Sequence, residues 1–422
     1  MKLKLTAPEK RWVLYDVANS AFTLLVSTIM PIYFNYLAEQ AGLSQVDYLA
    51  YWGYAVSAVT LIVALLGPVL GTISDRRGRK KPLFMAALLL GALGCTLLGF
   101  MRSWIWFLGV FVLAKAAYSL SLVFYDAMLC DITTPERMDE VSSYGYAWGY
   151  IGSCLPFLAC LALVLFYGQL GISMSTAMAL AFSMVALWWV GCSLPLLRIY
   201  RQKYFVPAEG KPFRDSFRRL GQMLRSLPAR KDIFFFLLAF FFYIDGVYTI
   251  IDMATAYGTA LGLDSTGLLL ALLVTQIVAF PSSLAFGRLS RKLKTEYIIG
   301  ICILAYFGIA VFAFWLDNLV KFWILAALVG LFQGTIQAFS RSYYTRIIPP
   351  EQSGEYFGLY DICGKGAAFV GTTLVAAVSQ LADSTNAGVG SLSVMFLLGL
   401  LCFRAAVKAR KRYLGEQEQQ ED

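Results

Sequence analysis

The sequence predicts an all-α membrane protein of twelve transmembrane helices. Three observations carry that expectation. Of the 422 residues, 59% are hydrophobic and 14% charged, and mean hydropathy is +0.66, whereas a soluble chain carries roughly a quarter charged residues. The apolar residues gather in twelve runs of about 20 residues or more, the length a helix needs to cross a bilayer. The cations gather in alternate connections, as the rule for helix orientation requires.

The runs lie near 12–37, 48–74, 82–101, 104–130, 142–167 and 173–197 in the first half. In the second half they lie near 233–261, 265–289, 296–316, 319–345, 355–381 and 388–407. An even count places both chain ends on one side. Lys2, Lys4, Lys10 and Arg11 precede the first run, and Arg404, Lys408, Arg410, Lys411 and Arg412 close the last. That side is therefore expected to be cytoplasmic, with a multi-pass chain in the cell membrane. Arg288, Arg291, Lys292 and Lys294 after the eighth run agree, and only Arg102 and Lys321 stand on the outer side. Met1 to Lys10 contains no apolar stretch of the signal-peptide kind.

The expected domains are a first bundle over 1–197, a linker over 198–232, a second bundle over 233–407 and a cytoplasmic tail over 408–422. The linker holds ten Lys/Arg and three acids. Within it Phe213, Phe217, Leu220, Leu224 and Leu227 recur at helical spacing, with Arg214, Arg218, Arg219 and Arg225 on other faces. That pattern reads as an amphipathic helix on the inner leaflet, in contact with membrane lipid. The halves are weakly alike. A shift of 215 places Pro135 on Pro350, Glu136 on Glu351 and Glu140 on Glu355, and a shift of 216 places Gly71 on Gly287.

Charged side chains in mid-membrane each cost about 2.5–3.5 kcal/mol on insertion scales, so each calls for a purpose. The first run carries Asp16, Asn19, Ser20, Thr23 and Ser27 on one helical face. The fourth carries Lys115, Tyr118, Ser119 and Asp126. The seventh carries Asp245, Tyr248, Thr249 and Asp252, and Asp245 is the candidate protonatable coupling residue. The eleventh carries Asp361 and Lys365 at i,i+4. Gln276, Gln333 and Gln337 add uncharged groups at similar depth. Lys115 and Lys365 are candidates to neutralise Asp245 or Asp16, or to meet a substrate carboxylate. Asp16, Asn19, Ser20, Lys115, Asp245, Tyr248, Asp252, Gln276, Gln333, Gln337, Asp361 and Lys365 are thus the expected substrate and coupling set.

The 215 shift also places Asp126 on Arg341 and Asp131 on Arg346. Opposite charges at equivalent positions suggest ion pairs between the halves that close an inner gate. For Asp131 the preferred alternative is Arg76 or Arg79 within its own half.

The turn Gly71-Thr-Ile-Ser-Asp75-Arg76-Arg77-Gly78-Arg79-Lys80-Lys81 puts five cations and one carboxylate between two apolar runs. It resembles the loop signature between helices two and three of the major facilitator superfamily. The resemblance implies the major facilitator fold, two six-helix repeats about a midplane substrate site, and a gating role for Gly71, Asp75, Arg76, Gly78 and Arg79. It implies that Asp75 faces the start of the eleventh helix and that the arginines engage acids at the end of the fourth. Arg11 to Phe22, Tyr243 to Ile251, Gln337 to Ser342 and Phe357 to Lys365 together resemble the vacuole-effluxer-like branch, named for a fungal autophagy-related amino acid effluxer. The fifth run has Gly145, Gly149 and Gly152 but no Gly-Pro pair, a departure from the superfamily's antiporter signature.

The expected function is secondary transport of a small polar or zwitterionic solute, amino acids foremost, by a monomer with a proton as candidate coupling ion. A lipid or amphiphile exporter is the alternative, drawing on Tyr144, Tyr146, Trp148, Tyr150, Tyr243 and Tyr248. A non-transporting sensor or scaffold is the alternative from another class. An enzyme is disfavoured: there is no histidine, and Cys95, Cys130, Cys154, Cys160, Cys192, Cys302, Cys363 and Cys402 form no C-x-x-C, so no metal or cofactor is expected. Nucleic acid is disfavoured because the net charge of +9 sits in membrane loops.

Overall fold

In the computed structural model, residues 4–207, 212–263 and 265–421 are described. Lys2 and the side chains of Phe213 and Arg214 lie outside them. Among the described residues, twelve helices are long and apolar enough to cross a membrane. They are α1 Ala7–Gln40, α2 Gln45–Ser74, α3 Lys80–Leu98, α4 Trp104–Ala127, α5 Met138–Phe166, α6 Met174–Ile199, α7 Lys231–Ala260, α8 Ser265–Leu289, α9 Thr295–Phe312, α10 Leu319–Ile347, α11 Ser353–Ala382 and α12 Leu392–Glu421. The 74–80 turn, the described part of the linker, the start of α1 and the end of α12 share one face, the basic face.

Helix ends outrun the apolar runs because polar residues cap and extend them. Thr6 and Glu9 form a capping box at α1: the Glu9 carboxylate accepts from the Thr6 N–H at 2.7 Å and the Thr6 hydroxyl from the Glu9 N–H at 3.4 Å. At the opposite face Ser44, Ser173 and Asn318 cap α2, α6 and α10. Leu25–Ile29 of α1 widens to a π turn just ahead of Pro31, which has no N–H to donate. The expected tail does not stand apart, because α12 runs on through it.

Packing repeats with a step of six helices. α1 packs on α5 and α6, as α7 packs on α11 and α12. α3 packs on α4 and α6, as α9 packs on α10 and α12. Between halves, α2 packs on α11 and α5 on α8, the same contact made twice about the pseudo-twofold axis. Each half has its own apolar core.

The α2–α11 contact is a backbone contact. A Cβ on Gly71 would lie 2.2 Å from the Gly354 carbonyl oxygen, and one on Gly354 would lie 2.5 Å from the Gly71 oxygen. Backbone atoms cannot yield as a side chain does, so Gly71→Val should force the two helices apart. The expected result is a loss of transport by tenfold or more with expression retained, measured by flux into proteoliposomes. Gly78 turns the chain between α2 and α3 with φ +71°, the left-handed region that glycine enters without cost.

The linker is not a free strap. Val206 donates its N–H to the Asp75 carbonyl at 2.9 Å, so residues 200–206 lie along the 74–80 turn. The linker helix, Pro212–Ser226, packs on α2. Met223 is buried, and Leu220 and Leu227 are partly buried, against the second core. Phe217 and Leu224 remain exposed. The expected apolar stripe therefore divides, because Met223 centres an inward face that Phe217 and Leu224 do not share.

Candidate functional site

Three layers of polar side chains lie between the halves, taken in order from the basic face. In the first layer the Asp75 carboxylate caps α11. It accepts from the Gly354 N–H at 2.7 Å and the Glu355 N–H at 2.9 Å, where a helix start presents unpaired donors and partial positive charge. Burial pushes the Asp75 carboxyl up to about 7, against the pull of Lys80 and of those two N–H groups.

Lys80 is fully buried. Its ammonium donates to the Ser353 hydroxyl at 2.8 Å and the Ala127 carbonyl at 3.2 Å. Asp131 and Asp75 stand at 3.6 and 3.8 Å. Asp131 also accepts from the Tyr200 hydroxyl and from the N–H groups of Lys203 and Tyr204.

These contacts correct two expectations. Asp131 does not meet Arg346 across the halves, and its cation is Lys80, not Arg76 or Arg79. Arg79 is exposed, and Arg76 is buried with a contact of its own. Arg346 instead pairs with Asp139 of α5 at 2.5 Å. Asp139 also accepts from the hydroxyls of Thr295, at 2.6 Å, and Ser342. Beside it Arg291 pairs with Glu140 at 2.8 Å.

The second layer centres on Arg341 of α10, 2% exposed. Its Nη1 donates to Asp126 at 3.0 Å and its Nη2 to Asp16 at 3.2 Å and the Ser142 carbonyl at 3.2 Å. Its Nε donates to the Ser142 hydroxyl at 3.0 Å. The guanidinium lies 4.6 Å from the Trp12 ring and 4.5 Å from that of Tyr146. One cation from the second half thus binds α1, α4 and α5 of the first. Gly145 makes room for it: a Cβ there would lie 2.1 Å from an Asp16 carboxylate oxygen.

The polar face of α1 is spent on neighbours. Asn19 donates to Asp16 and to the Tyr15 carbonyl. Ser20 lies against Gly149, and the Thr23 and Tyr118 hydroxyls meet at 2.5 Å. Ser27 bonds its own backbone.

The third layer lies further from the basic face. Lys115 of α4 sets its ammonium 4.9 Å from the Tyr118 ring and is within electrostatic reach of Asp252, Asp361 and Lys365. Lys365 pairs with Asp361 on its own helix. Tyr248 lies within electrostatic reach of Asp361, Asp126 and Asp252. Gln337 donates to the Tyr150 hydroxyl at 3.2 Å, across the halves, and to the Gln333 carbonyl at 3.1 Å. The Gln333 amide nitrogen is buried without a partner. Gln276 is half-buried and joins no hydrogen bond among the described residues.

Asp245 stands apart. One carboxylate oxygen accepts from the Gly371 N–H of α11 at 3.0 Å and from the Thr249 hydroxyl at 3.4 Å. The other is buried without a partner. Neither lysine reaches it: Lys365 is held by Asp361, and the cation of Asp16 is Arg341. Helix phase explains this, since Asp245 points at α11 of its own bundle.

Sequence reasoning missed Lys80, Ser142, Asp139, Glu140 and Arg291 as site residues. The 216 shift that places Gly71 on Gly287 also places Asp75 on Arg291. That opposite-charge pattern was the available signal for Arg291 with Glu140.

The model of the family described as vacuole effluxer Atg22 like matches residues 9–414. A Bacillus subtilis protein described as the uncharacterized MFS-type transporter YxiO is 39% identical over 406 residues, 95% of each chain. Autophagy-related protein 22 of Coccidioides immitis is 24% identical over 291 residues, 61% of this chain and 47% of the fungal one. Among solved structures, the E. coli transporter FucP in its outward conformation aligns with a TM-score of 0.72 at 12% identity, over 95% of this chain and 97% of that one. This last likeness bears on the fold alone.

Proposed function

The chain belongs to the vacuole effluxer Atg22-like family and is an MFS-type transporter, and from that premise we propose that it moves small zwitterionic solutes, amino acids foremost, by alternating access. The observation that carries this reading is a layer of both signs of charge drawn from both halves, with ion pairs between the halves on the side of the basic face. Lys115 comes from the first half, and Asp252, Asp361 and Lys365 from the second. Charged groups at this depth are tolerated where they line a passage. With the basic face cytoplasmic, as its cations favour, the ion-paired layers form the inner gate and the passage opens outward in the cell membrane. Labelled amino acids presented to proteoliposomes test the reading, and no uptake or exchange of any of the twenty would overturn it.

Proton coupling falls to Asp245. It is fully buried, has an unpartnered oxygen, and among the described residues no cation pairs with it. A carboxyl in that position is well placed to carry a proton through the cycle. Asp245→Asn is expected to leave amino acid exchange within a few-fold of wild type while abolishing substrate-dependent proton uptake. Unchanged proton uptake would remove Asp245 from the role.

Four of the six aromatic side chains behind the lipid-exporter alternative are engaged by neighbouring protein groups. Tyr243 is buried and hydrogen-bonds Ser340, Tyr144 packs on the first core, Trp148 meets Phe280, and Tyr146 covers Arg341.

A further inference from the structure

We propose that Lys115 and Asp252 are the two poles of the substrate site, Lys115 taking the carboxylate of a zwitterion and Asp252 its ammonium. The inference rests on the transporter reading above and adds to it which group meets which end.

Lys115 is the twelfth residue of the 24 in α4, hence midway through the membrane. Leu113 is 59% exposed, and two residues further along a helix turn the side chain to nearly the opposite face. Lys115 therefore looks away from lipid. Among the described residues no carboxylate lies within ion-pair distance of it, and its ammonium rests only on the Tyr118 ring.

Asp252 is its complement on the other half. It shares the face of α7 that carries Asp245 and Tyr248, since seven residues close two turns. It is exposed, has no ion-pair or hydrogen-bond partner among the described residues, and lies within electrostatic reach of Lys115. The other ionised pair in this layer, Asp361 with Lys365, is already matched. Asp126, the remaining acid nearby, is held by Arg341. What is left uncompensated is one positive charge on the first half and one negative charge on the second.

That arrangement selects its occupant. When the halves close over a substrate, a lone anion or a lone cation leaves one pole desolvated and unpaired, which is costly. A zwitterion satisfies both poles. Because they belong to different halves, the same contacts draw the halves together, so occupancy favours closure.

The test begins with wild-type proteoliposomes and the twenty labelled amino acids, and the one exchanged fastest becomes the probe. Its deaminated analogue (carboxylate only) and its decarboxylated analogue (ammonium only) should each compete at least tenfold more weakly than the amino acid itself. Lys115→Met should lose at least tenfold in affinity for the amino acid and little for the amine. Asp252→Asn should lose tenfold for the amino acid and little for the carboxylate. Lys115→Arg and Asp252→Glu should restore most of the affinity, which a packing defect would not allow. Equal competition by either analogue in wild type, or unchanged amino acid affinity in both variants, would overturn the assignment with the transporter reading intact. Absence of exchange of any amino acid by wild type would overturn both.

Discussion

Arg341→Ala is expected to abolish transport and to destabilise the chain by about 3–5 kcal/mol, the range for removing one partner of a buried ion pair. The effect should be at the upper end because one guanidinium serves two carboxylates. Its removal strands Asp16 and Asp126, frees the Ser142 hydroxyl and carbonyl, and empties the space between Trp12 and Tyr146. Those groups sit on three helices of one half, and the cation on a helix of the other, so the loss falls on the contact between the halves and should open it. Cys130 reads that opening directly. It is buried, its sulfur lies 3.8 Å from the Pro350 carbonyl across the halves, and burial pushes the thiol up to about 11. Closed, it should resist maleimide at neutral pH; open, it should react as an ordinary thiol. Site-resolved mass spectrometry should therefore show Cys130 labelled faster in Arg341→Ala than in wild type, alongside a lower melting temperature. Equal labelling and equal melting would show that the cluster does not hold the gate. Exchange of Asp126 and Arg341 should not rescue, because the new carboxylate at 341 would face Asp16. Arg341→Met with Asp16→Asn and Asp126→Asn should recover stability without recovering gating.

The spans were legible because hydropathy and alternating loop charge act over tens of residues and are nearly independent of tertiary detail. The Asp126–Arg341 contact was legible through the internal repeat, which turns one half into a template for the other. Asp16 as the third member was not, since no local pattern says which neighbour a polar face will turn to. The spacing puts Asp16, Asn19, Ser20, Thr23 and Ser27 on one face of α1, and the partners of Asn19, Thr23 and Ser27 lie on their own helix or at Tyr118. Asp245 shows the same limit: depth follows from counting along α7, but the side chain's partner depends on how α7 is rotated against α11. In the basic turn, composition showed a cluster of cations without showing which one goes inside. Gly78 settles that by reversing the chain, leaving Arg77 and Arg79 in solvent and making Lys80 the first residue of α3.

Lys80→Met is therefore expected to do what the substitution of its more conspicuous neighbours does not. Lys80 and its partner Asp131 have side chains wholly shielded from solvent, and Asp75 is nearly so. Methionine keeps the length and apolar stem but leaves both carboxylates buried without a cation, at a cost again of about 3–5 kcal/mol. The damage should spread in two directions. Asp131 anchors the linker through Lys203 and Tyr204, and Asp75 anchors α11 through Gly354 and Glu355, so both attachments weaken together. Arg79→Ala, at an exposed position, should stay within about 0.5 kcal/mol of wild type. Melting of the purified variants gives the comparison, and flux into proteoliposomes should fall at least tenfold for Lys80→Met alone. Adding Asp131→Asn should restore part of the melting temperature by removing one stranded charge while keeping an oxygen for the linker N–H groups. If Arg79→Ala proved the more damaging change, the cation that ties the turn to α4 and α11 would be the arginine, and the buried position of Lys80 would have no part in the gate.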